Sequence, residues 1–134
     1  MFDRVMQWLE ADGADHERGF NTEDIRLSIA ALYYHMIAVD GVVTVEELRH
    51  LRGVLREQFL LDDKQIAHLA NKGEAMDKSS AGIFPFTVIL NRELEEQERK
   101  EVYDQLLTLA KADGVLHSLE EAMLDHVKFL LQLP

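Results

Sequence analysis

The chain has 134 residues, with 25 Asp and Glu against 14 Lys and Arg, a formal net charge of −11 and no cysteine. A chain of this length buries roughly two-thirds of its unfolded surface, so it needs neither disulfide nor metal merely to fold. The missing cysteines exclude a disulfide framework, a thiolate nucleophile and a zinc-thiolate site, and the acid excess with scattered basic residues argues against phosphate-driven nucleic-acid binding.

The chain opens on Phe2, Val5, Met6 and Leu9 at helical spacing, which predicts a short amphipathic helix ending before Asp12-Gly13, with Trp8 off its stripe. This N-terminus carries an acid and lacks an apolar core of signal-peptide length. Asn21 or Thr22 caps a second helix that runs to about Val39. Its apolar run from Ile29 to Val39 is interrupted by His35 and is too short to span a bilayer. Thr44-Val-Glu-Glu47 reads as a capping box, starting a third helix that reaches towards Phe59. After a turn at Leu61-Asp-Asp63, a fourth helix puts Ile66, Leu69, Ala70 and Gly73 on one face, the glycine marking either a close approach or a weak point. Lys78-Ser-Ser-Ala-Gly82 links to a short buried helix over Ile83 to Leu90, with Pro85 in its first turn. The charge run Glu95 to Glu101 is expected to be the solvated start of a long sixth helix, and a seventh runs from near Ser118 to before Pro134. No alternating strand pattern occurs. The expected fold is all-α, a bundle of about seven helices in one domain over residues 1–134, with no membrane span, no nucleic-acid partner and a cytoplasmic location.

Two stretches repeat. Ile37-Ala-Val-Asp-Gly-Val-Val-Thr-Val-Glu-Glu-Leu48 returns as Leu109-Ala-Lys-Ala-Asp-Gly-Val-Leu-His-Ser-Leu-Glu120, and aligning Asp40 with Asp113 brings Glu47 onto Glu120 and Leu51 onto Leu124 without a gap. The chain therefore reads as two diverged helical hairpins, at about 22–59 and 95–131. Continuing each helical register at about 100° per residue places Asp40, Glu47, Asp113 and Glu120 on the inward side, with Glu46 opposite and Glu121 beyond. A carboxylate withdrawn from water must find a cation, a cationic side chain, backbone N–H groups or a proton.

Asp-Gly-x5-Glu matches the second half of an EF-hand loop, where oxygen ligands surround a glycine turn and a Glu closes the site. The first half is missing, because the opening ligand positions fall on Met36 and Ala38 in one copy and on Leu109 and Lys111 in the other. A shared site for Ca²⁺ or Mg²⁺, formed by Asp40, Glu47, Asp113 and Glu120 where the hairpins meet, is one expectation. The other is that each Asp accepts turn N–H groups and each Glu closes a cap, and both can hold together. Glu47-Leu-Arg-His50 has the Glu-x-x-His form of di-iron bundles, but the second repeat has Met123 where the His belongs. No phosphate loop, nucleophile elbow or His-Glu-x-x-His is present, so no enzyme is expected.

Ala38-Val-Asp-Gly-Val-Val-Thr-Val-Glu-Glu, then Phe86-Thr-Val-Ile-Leu-Asn91, then Ala110-Lys-Ala-Asp-Gly-Val-Leu-His-Ser-Leu-Glu-Glu resemble the TerB (tellurite resistance protein B) family over about residues 22–133. The resemblance implies a compact bundle of about seven helices, a divalent-cation site at the two Asp-Gly turns, and a role in stress responses or as a co-chaperone-type interaction domain. The chain departs from the pattern at Lys111, which can neutralise a nearby acid, and at His117, where the first copy has Thr44. Two functions follow as expectations: a metal-responsive binding module, or a metal-independent helical adaptor with a protein partner.

Overall fold

The computed structural model describes residues 22–112 and 114–134. The expected opening helix through Phe2, Val5, Met6 and Leu9, the Asp12-Gly13 loop and Asp113 lie outside them. Six α-helices fill the described residues: α1 (Thr22–Ile37), α2 (Val45–Phe59), α3 (Asp63–Ser79), α4 (Phe84–Glu93), α5 (Glu96–Ala110) and α6 (Ser118–Leu130). Among the described residues there is no strand, and no helix is long and apolar enough to cross a membrane.

Helix α1 forms the centre. Every residue from Ser28 to Tyr34 is buried, as are Ile25, Met36 and Ile37, so the helix is covered on all sides and not along one stripe. It packs chiefly against α3, then against α4, α5 and α2, while α6 lies on α5 and α4. The closest approach is at Gly73 of α3, where an added Cβ would stand 2.8 Å from the carbonyl carbon and the Cβ of Ala30. Of the two meanings open to this glycine in the sequence, the structure selects close approach. Ala30 and Ala31 supply the matching shallow surface on α1. The remaining core is one cluster, with Leu51 and Leu55 from α2, Ile66 from α3, Phe86 and Leu90 from α4, Val102 and Leu106 from α5, and Leu124 and Val127 from α6.

Polar ties join the layers. The Tyr33 hydroxyl, fully buried, accepts from Gln58 Nε2 at 2.8 Å and links α1 to α2. Burial pushes the Tyr33 phenol well above its ordinary pKa; the Gln58 bond opposes the rise and the Glu101 carboxylate adds to it. His35 Nδ1 and Asp77 Oδ1 stand 2.7 Å apart and connect α1 to α3. The C-terminus of α6 is closed from outside its own helix: Asn91 Nδ2 donates to the Leu130 carbonyl at 2.8 Å, and Arg99 Nε to that of Leu131 at 2.9 Å. Helix-end carbonyls have no intrahelical donor, so these two side chains fix α6 to α4 and α5.

The charge run departs from expectation. Glu98 and Glu101 are buried and do not form part of a solvated face. Glu98 Oε1 accepts the Glu95 N–H at 2.7 Å, closing the start of α5. The run mixes a cap and an inward-facing acid with the exposed residues Glu95, Glu96 and Gln97.

Replacing Gly73 with Ala should cost about 1–3 kcal/mol, the usual penalty for inserting a methyl group into a packed contact. Urea unfolding should show a lower midpoint with an unchanged slope, and an unaltered midpoint would mean that α1 and α3 can separate without loss.

Candidate functional site

The described residues on either side of the two Asp-Gly turns share one pattern of backbone hydrogen bonds. After α1, the Ala38 N–H donates to the Tyr34 carbonyl at 3.0 Å and the Gly41 N–H to that of Ala38 at 2.9 Å. After α5, Lys111 donates to Leu107 at 3.0 Å and Gly114 to Lys111 at 2.8 Å. Gly41 and Gly114 both have φ of 86°, a left-handed conformation that strains any residue with a Cβ. The repeat is thus conformational as well as textual.

Each following helix opens on the Glu of its repeat. Glu47 Oε1 accepts the Thr44 N–H at 2.9 Å while Thr44 Oγ1 accepts the Glu47 N–H at 3.1 Å, the capping box expected there. Glu120 Oε1 accepts the His117 N–H at 3.0 Å, so the second copy closes its helix start as the first does although its N-cap residue differs. Asp40 Oδ1 accepts the Val42 N–H at 3.0 Å across the turn. The carboxylates therefore meet backbone N–H groups, one of the four partners open to a desolvated acid.

Packing of the hairpins brings Asp40, Glu47 and Glu120 to one cleft of about 320 Å³, bordered by Leu109, Ala110 and Ala112. Glu47 and Glu120 are half-buried, but Asp40 is exposed. The inward placement of Asp40 fails for a simple reason: α1 stops at Ile37, and a helical register carried past that point no longer describes the chain. Glu46, expected on the opposite face, also lines the cleft, as does His50 one turn further along α2. Their i, i+4 spacing was the available signal, since it places them on adjacent turns of one face. Glu46 additionally pairs with Arg49 at 3.0 Å. Lys111 is exposed and lies outside the cleft lining, which contains neither Lys nor Arg. Among the described residues, no group of three or more His, Asp or Glu side chains is gathered to hold a metal ion.

Fold and site together define a helical repeat domain in which two equivalent glycine turns, each closed by a glutamate, face a common acidic cleft. Residues 26–134 match the family model described as tellurite resistance protein TerB, and the chain belongs to that family. No curated protein and no solved structure matches it. The residues behind the sequence resemblance have visible structural tasks. Phe86 is buried in the core, Thr87 Oγ1 donates to the Phe84 carbonyl of its own helix, and Asn91 holds the end of α6.

Because neither turn glycine has a neighbour that a Cβ would strike, Gly41→Ala and Gly114→Ala should each lose stability through backbone strain alone, by about 1–2 kcal/mol. Thr44→Ala should cost about 0.5–2 kcal/mol through the lost cap, whereas Glu47→Gln, which keeps an acceptor for the Thr44 N–H, should cost much less. Denaturant unfolding of the four variants checks both statements. Equal losses for Thr44→Ala and Glu47→Gln would show that charge, not cap geometry, holds the start of α2.

Proposed function

We propose that this TerB domain is a non-enzymatic binding module whose acidic cleft attracts a divalent cation, Ca²⁺ or Mg²⁺. The observation that carries this reading is the convergence of Asp40, Glu46, Glu47 and Glu120 on one cleft whose lining has no Lys or Arg. The donor side chains, four carboxylates with the Thr44 hydroxyl and one imidazole, suit a hard cation. One oxygen each of Asp40, Glu47 and Glu120 is engaged by a backbone N–H. Two helix N-termini, those of α2 and α6, also contribute positive partial charge nearby. A cation here keeps most of its water and meets one or two carboxylates, as Mg²⁺ commonly does. Affinity is accordingly modest and falls with salt.

An ion that binds only the native state at tenfold excess over its Kd adds about 1.4 kcal/mol. At matched ionic strength, Ca²⁺ or Mg²⁺ should therefore raise the melting temperature. In Glu47→Gln/Glu120→Gln, whose caps retain their acceptors, the ion-dependent rise should disappear while the ion-free protein stays folded. No rise in the parent chain, or an equal rise in the double variant, sinks the cation reading.

A second reading, a metal-independent adaptor for a protein partner, is favoured by the exposed apolar side chains around the same turns: Val42, Val45, Val115 and Leu119. Exposed apolar groups clustered beside a cleft mark interaction surfaces.

A further inference from the structure

We propose that the groove between α2 and α5 is a docking site for a short amphipathic segment of a partner protein, its Lys or Arg end lying at the Asp-Gly turns; this rests on the adaptor reading.

The acidic cleft does not end at His50. A second hollow, of about 290 Å³, shares His50 and Leu109 with it and continues along Gly53 and Val54 of α2 and Gln105 and Thr108 of α5. On α2, positions 46, 50, 53 and 57 fall on one face, and on α5 positions 105, 108 and 109 do the same. The two hollows are therefore successive stretches of one groove along two facing helices.

Gly53 supplies an independent observation. It sits in the interior of α2, where glycine is less favourable than alanine. A Cβ added there meets nothing within 4 Å, and the residue has no left-handed φ to explain it. Gly73, by contrast, is required by Ala30 at 2.8 Å. Nothing in the described fold asks for glycine at position 53. What glycine does provide is a notch in the wall of the groove, through which another backbone can approach the axis of α2.

Charge selects the occupant and its direction. At the turn end the lining holds Asp40, Glu46, Glu47 and Glu120 without a Lys or Arg. Arg49 pairs with Glu46 and offsets one of these acids, and the far end of the lining carries a single acid, Glu57. Between them lie Leu109 and Val54, buried and half-buried. A segment with small apolar residues over Gly53 and Val54 and cationic residues at one terminus satisfies both features, in the manner of an amphipathic helix laid in a groove. Electrostatic complementarity then sets its orientation.

The test uses a fluorescein-labelled synthetic peptide of Leu, Ala and Lys, about four helical turns long, with its leucines on one face and its lysines at one end. Two controls have the same composition scrambled, and Glu in place of Lys. Anisotropy is read against the full chain in EDTA, at low and physiological ionic strength. The ordered basic peptide should bind, and Gly53→Leu should weaken it at least about tenfold by filling the notch. Gly53→Ala should raise the melting temperature, because the helix gains propensity without a clash, and should weaken binding less than Leu does. A lower melting temperature for Gly53→Ala would show that the fold itself needs the glycine and would overturn the proposal. Equal binding of the scrambled peptide, which is bare polycation attraction, overturns it as well. Binding of the ordered peptide that survives Gly53→Leu removes the groove and leaves the adaptor reading standing. Failure of all three peptides to bind removes both. The cation reading is untouched by any of these results, since no divalent ion is present.

Discussion

From Ser28 to Tyr34 helix α1 has no face for water, and most of the architecture follows from that. Its sequence from Ser28 to Tyr34 includes two alanines, an isoleucine, a leucine and two tyrosines, all buried. A helix of this kind is stable only when others cover every side of it. The α3 contact needs the Gly73 notch, the α2 contact includes the Gln58 bond to Tyr33, and α4 and α5 complete the wrapping. Neither hairpin can therefore stand alone, because α1 belongs to the first and is covered in part by α5 of the second. Packing α1 and α2 against α5 also brings the turn after α1 beside the residues that follow α5, which creates the cleft.

Much of this was legible in the residues. A capping signal located the start of α2, Pro85 marked the first turn of α4, and spacing of apolar residues gave the order of the helices. Other features escaped because sequence periodicity reports a face but not its neighbours. Nothing local says that α1 is enclosed on all sides, or that Glu101 faces inward beside Tyr33. Asp40 was misplaced because a register was carried past the end of its helix. Glu46 was placed away from a cleft whose wall it forms, since a cleft between two helices exposes a broader arc of each than the core stripe alone.

The two copies show what the repeat preserves. Thr44 and His117 differ as N-cap residues, yet the backbone N–H of each is held by the Glu three positions on. Gly41 and Gly114 share one φ. Asp-Gly-x5-Glu can accordingly be accounted for by backbone requirements: a left-handed turn, followed by a glutamate that satisfies a donor at the next helix start. The spacing needs no ligand to explain it. That acids from both copies also reach one cleft is a property of the packing, and no single copy would reveal it.

If the most recognisable residues of the chain serve the fold, then function has to be sought among residues that the fold does not explain. Gly73, Asn91, Arg99 and Thr44 each answer to a named partner. Gly53 answers to none within 4 Å, and Val42, Val45 and Leu119 remain exposed although exposure gains nothing for an apolar side chain. The acidic lining adds to the same contrast, because four carboxylates around one cleft repel one another and the cap bonds use only part of their oxygen capacity. Gly53 and the acids line one groove, and among the described residues nothing within 4 Å accounts for the glycine, which is what a surface shaped by something outside the chain would carry.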